Sequence, residues 1–151
     1  KIEKYILDND LSEKVKLPGH ICDMERFYRI CDLVVLCSTM EAQPYLLLEA
    51  MRARCTVIAS DVDGNRELLA GDRGLRVGLE AGEIAAAIDY LLSDSQKRVQ
   101  LGQNAYEYFC SKHRLDSQVQ SLGDVYLDKV YNKGRIFDFA DCSREKICSE
   151  K

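Results

Sequence analysis

The chain has 151 residues, 46% of them apolar and 30% charged, with a formal net charge of −4. That length and composition suit one globular domain with its own core. The acidic balance argues against a nucleic-acid-binding face, and no run of the sequence reads as a signal peptide or a membrane span.

In chain order, residues 3–9 read as the tail of a helix and 15–17 as a short strand stopped by Pro18 and Gly19. A helix follows over 24–30. The continuous apolar run LVVLC at 33–37 reads as a strand buried on both faces. A helix over 45–53 leads to a second buried strand, TVIAS at 56–60. A short helix at 66–70 and a small strand at 74–77 complete the alternation.

Beyond that point only helices are expected. Ile84, Ile88, Leu91 and Leu92 make one helical face, and Val99, Gly102, Tyr106 and Phe109 a second. Val119, Leu122, Tyr126 and Val130 make a third. Residues 1–131 are read as one ligand-binding domain and 132–151 as a polar tail without a clear period. Strands alternating with helices predict an α/β fold with a doubly wound, Rossmann-like parallel sheet.

Seven cysteines stand at 22, 31, 37, 55, 110, 142 and 148, with no C-x-x-C pair. The odd count and the absence of an N-x-S/T site point to a reducing cytosol. No catalytic triad order, P-loop or G-x-G-x-x-G is present. Residues 65–67 read as the opening of a short helix, with Gly64 or Asn65 as its cap and Glu67 complementing the dipole, and His113 as a solvated loop residue.

Ligands of such sheets bind beyond the carboxyl ends of the strands. Two loops therefore matter, 38–44 and 61–64. Pro44 suits the first helical position. The amides of Tyr45, Leu46 and Leu47 would then be unpaired at the positive end of the helix dipole, an anion site that fits a diphosphate. Glu41 precedes this helix start, and Glu49 lies about 7–8 Å inside it along the axis. Each carboxylate can accept both hydroxyls of a vicinal diol, so one acid could grip a ribose and the other a sugar. Asp61-Val62-Asp63 spells D-x-D, a triplet that can hold a divalent cation but is also common turn chemistry.

These words in this order resemble glycosyltransferase family 4, or group 1: CDLVVLCS at 31–38, EAQPYLLLEAM at 41–51, TVIASDVDGNRELL at 56–69 and GLRV at 74–77. The helix-rich stretch that includes AAAIDYLLSD also resembles the family, and the likeness runs over about residues 15–131. It implies the C-terminal, donor-binding domain of a two-domain GT-B enzyme, a retaining transferase that uses a nucleotide-diphosphate sugar, with UDP or GDP as the expected base. It implies no cofactor and no bound metal. Glu49 would bind the ribose. Glu41 would contact hydroxyls of the donor sugar or stabilise charge near its anomeric carbon, as the catalytic member of the pair. Ala42, Gln43, Pro44, Tyr45 and Leu46 would line the sugar and diphosphate, and Gly19, His20 and Ile21 would lie near the nucleobase.

The chain departs from the family at three positions. Ala42 stands where glycine is usual, and Gln43 where an aromatic or aliphatic residue is usual. Arg54 replaces the glycine that ends the helix in a left-handed turn, at a cost of roughly 1–2 kcal/mol if it adopts that turn. The family's first strand, its glycine-rich turn and basic pair, and its N-terminal acceptor domain are expected outside residues 1–151. The isolated chain is therefore expected to bind weakly and turn over poorly. A non-catalytic nucleotide-binding homologue and a sugar-nucleotide epimerase are the alternatives. No nucleic-acid partner is expected, and peripheral membrane association is an expectation for the parent by family analogy.

Overall fold

The computed structural model describes residues 1–128, so Val130 and the tail at 132–151 lie outside the described residues. Three parallel strands, β1 (Leu33–Leu36), β2 (Thr56–Ser60) and β3 (Leu75–Val77), pair in the order β1-β2-β3. Leu33 faces Thr56 in the register, and Ile58 faces Leu75. The helices are α1 (Ile2–Asp8), α2 (Met24–Ile30), α3 (Tyr45–Arg52), α4 (Asp63–Leu69), α5 (Ala81–Ser93), α6 (Ser95–Lys112) and α7 (Leu115–Leu127).

Strand side chains alternate between faces, and β2 feeds two cores. Val57 and Ala59 join Leu47, Ala50, Met51, Leu68 and Leu69 on one face. Ile58 joins Ala87, Leu91 and Leu101 on the other. With helices on both sides, every residue of β2 is buried. Strand β1 was expected to match it and does not. Val34 is buried but Val35 is 37% exposed, because α5 packs against β2 and β3 rather than over β1.

Helix α6 closes the amino end of β2. Leu101 enters one core and Ala105 the other. Between them, a Cβ on Gly102 would strike the Arg54 carbonyl, so glycine lets the helix come this close. The Thr56 hydroxyl donates to the Arg98 carbonyl at 2.6 Å and ties strand to helix. Asp94 caps α6 by accepting from the Lys97 amide at 2.8 Å.

Arg54 does take the left-handed turn, at φ 60°. The Cys55 amide reaches the Ala50 carbonyl at 2.9 Å and the Arg54 amide the Met51 carbonyl at 3.0 Å, the two bonds of a Schellman ending. The Arg54 guanidinium lies 4.1 Å from the centre of the Tyr106 ring, which offsets part of the backbone strain.

Two expected features differ. Residues 15–17 form no strand. Val15 and Leu17 are both exposed, and no neighbouring strand among the described residues pairs with them; an isolated apolar triplet has nothing to bond its backbone. The face of α7 built from Val119, Leu122 and Tyr126 is exposed, and the helix has no buried residue. It packs beside α6, where periodicity alone could not supply a surface to cover that face.

Candidate functional site

With α6 across the amino end of β2, the carboxyl ends of β1 and β2 are left to two loops, and these loops are bonded to each other. The Ser60 hydroxyl donates to the Ser38 carbonyl at 2.5 Å. Asn65 Nδ2 donates to the Ser60 carbonyl at 2.8 Å and to its hydroxyl oxygen at 3.3 Å. The Gly64 amide donates to the Glu41 carbonyl at 3.1 Å. A Cβ at Gly64 would collide with the Ala42 carbonyl. The main chain at Glu41 and Ala42 is thus seated on the start of α4.

Asn65 was read as a helix cap. It lies inside α4, which starts at Asp63 with Val62 as its cap residue. It is fully buried, and its Oδ1 has no hydrogen-bond partner. Its work is across the loops rather than at the helix end. Sequence reasoning took Asn65 for local capping because Asn favours caps, and the bond it makes to Ser60 is visible only in the fold.

Helix α3 rises from this seam. Pro44 is the cap residue rather than the first helical one, with extended backbone at φ −74° and ψ 114°. Its carbonyl accepts from the Leu47 amide at 3.1 Å, so Leu47 is not one of the open donors. The amides of Tyr45 and Leu46 have no partner among the described residues. Glu41 is half-buried, Ala42, Gln43 and Tyr45 are exposed, Leu46 is half-buried and Pro44 is buried. The expected diphosphate-lining segment therefore has an accessible surface around a proline anchor.

Glu49 lies on an exposed part of α3, and its Oε2 accepts from the Tyr28 hydroxyl at 3.1 Å. Tyr28 is only 4% exposed. Burial, then the hydrogen bond and charge of Glu49, push its hydroxyl pKa up to about 12. The phenol therefore stays a proton donor at neutral pH and well above it. Sequence reasoning assigned Tyr28 to core or rim. The signal for more was its place between Met24 and Cys31 on the core-facing side of α2, since a buried phenol needs a polar partner.

The two aspartates of D-x-D are engaged by arginines. Arg66 Nε donates to Asp61 Oδ1 at 3.0 Å and Arg66 Nη1 to Asp63 Oδ1 at 3.1 Å. Arg76 Nη1 approaches Asp61 Oδ1 at 3.3 Å. The Arg66 hydrogen bond holds the Asp61 carboxyl below the usual range, with Arg66 and Arg76 charges adding to it. Among the described residues there is no cluster of three or more His, Cys, Asp or Glu able to hold a metal, and no helix long and apolar enough to cross a membrane.

Gly19, at φ 71°, turns the chain into the segment before α2, whose start is capped by Asp23 accepting from the Arg26 amide at 3.0 Å. Gly19 and His20 are exposed and Ile21 is half-buried. Helix α2 packs against α3, but no hydrogen bond or ion pair joins residues 19–21 to Glu41 or Glu49. His113 is not a solvated residue. It is half-buried at the end of α6, its ring 5.3 Å from that of Tyr108 and 6.4 Å from that of Phe109. Burial pushes its pKa down.

Known proteins resemble this chain in sequence and fold. The chain is 30% identical over 128 residues to the lipopolysaccharide core biosynthesis mannosyltransferase LpcC of Rhizobium leguminosarum bv. viciae, covering 83% of this chain and 36% of that protein. Among solved structures, the C-terminal domain of a glycosyl transferase group 1 family protein, LpcC from Francisella tularensis, is 30% identical with a TM-score of 0.67. That match covers 76% of this chain and 61% of the other. Anabaena HepE in complex with UDP superposes with a TM-score of 0.78 at 25% identity, covering 83% of this chain and 35% of the other. The chain thus spans about a third of the length of such full-length relatives, and its fold is a partial C-terminal domain of the GT-B architecture. The profile of the family described as "Glycosyl transferases group 1" matches residues 1–108, and the chain belongs to that family.

Proposed function

We propose that this chain is the donor-binding part of a retaining glycosyltransferase of family 4 that takes a nucleotide-diphosphate sugar. The observation that carries the reading is the seam at the carboxyl ends of β1 and β2. The Gly64 amide holds the Glu41 carbonyl at 3.1 Å, directly before a helix start whose Tyr45 and Leu46 amides are open. A diphosphate on those amides gains from their hydrogen bonds and from the helix dipole. Glu49, farther along the same helix, accepts from ribose hydroxyls on one side. Glu41 meets the donor sugar on the other.

In this reading Glu41 contacts hydroxyls of the donor sugar or stabilises positive charge near the anomeric carbon as the bond to the diphosphate breaks. Electrostatic stabilisation of that kind acts where water is excluded. Residues beyond this chain supply the acceptor and further neutralisation of the leaving diphosphate. Residues 19–21 face the base. The relative bound to UDP supports a uridine or similar nucleotide as the first ligand to try.

The test is an NMR titration of the chain with UDP-, GDP- and ADP-sugars, repeated on Glu49→Ala. One nucleotide should perturb the amides of Tyr45 and Leu46, and Glu49→Ala should weaken that effect about tenfold, the loss of a charged hydrogen bond. No perturbation of this helix start by any of them at millimolar concentration, in the chain and in the whole protein alike, would sink the reading.

A further inference from the structure

We infer that Tyr28 is a positioning residue of the nucleotide site, holding Glu49 in the conformation that receives the ribose diol. This rests on the reading of Glu49 as the ribose-binding acid. The hydrogen bond that carries it joins two helices, α2 and α3, 21 positions apart in sequence.

A glutamate on a helix surface samples several rotamers, and fixing it when a ligand arrives costs conformational entropy. Here one carboxylate oxygen is already fixed by a phenol that is itself locked in the core beside Val34, Leu47 and Met51. The ordering cost falls on folding rather than on binding, which is how a preorganised site gains affinity. Glu49 keeps its role as acceptor because a carboxylate offers about four lone-pair positions, and Tyr28 occupies one. Oε1 has no partner among the described residues, and the residue is exposed.

The Tyr28 hydroxyl has no other hydrogen-bond partner among the described residues. Its hydroxyl is a donor at neutral pH and well above it, since burial and the carboxylate push its pKa up to about 12. The bond therefore has one direction, from phenol to carboxylate, and orients the acid rather than competing with it. Glu25 stands elsewhere on α2 and is paired with Arg29 and Arg52 at 2.6 Å each, so those cations are engaged away from Glu49.

The experiment measures calorimetric affinity for UDP and GDP, and for their 2′,3′-dideoxy forms, on the protein carrying this chain. Four versions are compared: unsubstituted, Tyr28→Phe, Glu49→Ala and the double variant. Tyr28→Phe, which keeps the ring in its packing, should weaken the ribonucleotide about three- to tenfold and leave the dideoxy form unchanged. Added to Glu49→Ala it should change nothing further, because its action passes through Glu49. Equal weakening of both nucleotide forms, or a further loss in the double variant, would make Tyr28 a packing residue only and overturn the inference. If Glu49→Ala leaves the preference for ribose over dideoxyribose intact, the ribose assignment itself fails and Tyr28 falls with it.

Discussion

Gly102 and Gly64 both stand where a Cβ atom would strike a backbone carbonyl, yet they serve opposite ends of the central strand. Gly102 lets α6 close over Arg54 at the amino end of β2, and Gly64 seats α4 under Glu41 and Ala42 at its carboxyl end. The first contact is between a helix and the end of another helix, with the Thr56 hydroxyl and the Arg54–Tyr106 stack beside it. The second is between a loop and the first turn of a helix, with exposed residues on top. One end of the sheet is built as a closed base and the other as a platform. The same local chemistry therefore carries stability at one end and the geometry of the candidate site at the other.

A loss of folding stability alone is expected at the base. Gly102→Ala should destabilise the chain by about 1–3 kcal/mol through overpacking against a backbone atom, read by urea unfolding. Gly123→Ala, where a Cβ meets nothing within 4 Å, is the control and should stabilise α7 by about 0.5–1 kcal/mol. A neutral Gly102→Ala would mean that α6 can slide, and that the base is no more rigid than the platform.

Gly64→Ala should sharpen the contrast from the other side. The added methyl meets backbone atoms of Glu41 and Ala42 inside van der Waals contact, so it should displace that main chain and cost the fold about 1–3 kcal/mol, as at Gly102. Affinity for the nucleotide sugar should fall at least about tenfold, since small misplacement of a positioned group is costly. Calorimetric binding beside a thermal melt separates the two quantities. An affinity no lower than that of Gly102→Ala would remove the distinction between the ends.

The smallest effect is expected at Arg54. Replacing it with glycine relieves a left-handed strain of roughly 1–2 kcal/mol and removes the stack on Tyr106, worth about 0.5–1 kcal/mol. Arg54→Gly should therefore move the unfolding midpoint slightly upward. A clear loss of stability would show that the guanidinium stack, rather than the backbone, fixes the base.

Much of the platform was legible in the residues. The runs LVVLC and TVIAS marked the two strands, Pro44 marked the entry to α3, and the spacing of Glu41 and Glu49 singled out the pair that the proposal uses. The errors share a cause. Val35 was read as buried because its run is continuous, but burial of the second face depends on whether α5 reaches β1. Residues 15–17 had strand character and no neighbour to pair with. Asn65 looked like a cap because Asn favours caps and His113 like a solvated residue because its sequence neighbours are charged, whereas their actual contacts come from Ser60 and from Tyr108 and Phe109.

The sequence by itself determined the α/β alternation, the family and the candidate acids, because these depend on periodicity and on short runs of adjacent residues. Only the tertiary structure decided that Tyr28 meets Glu49, that Gly64 supports Glu41, and that α6 seals one end of β2 and leaves the other open. Each of those contacts joins residues more than twenty positions apart. Their distances are set by how helices pack on a twisted sheet, and no local pattern encodes them.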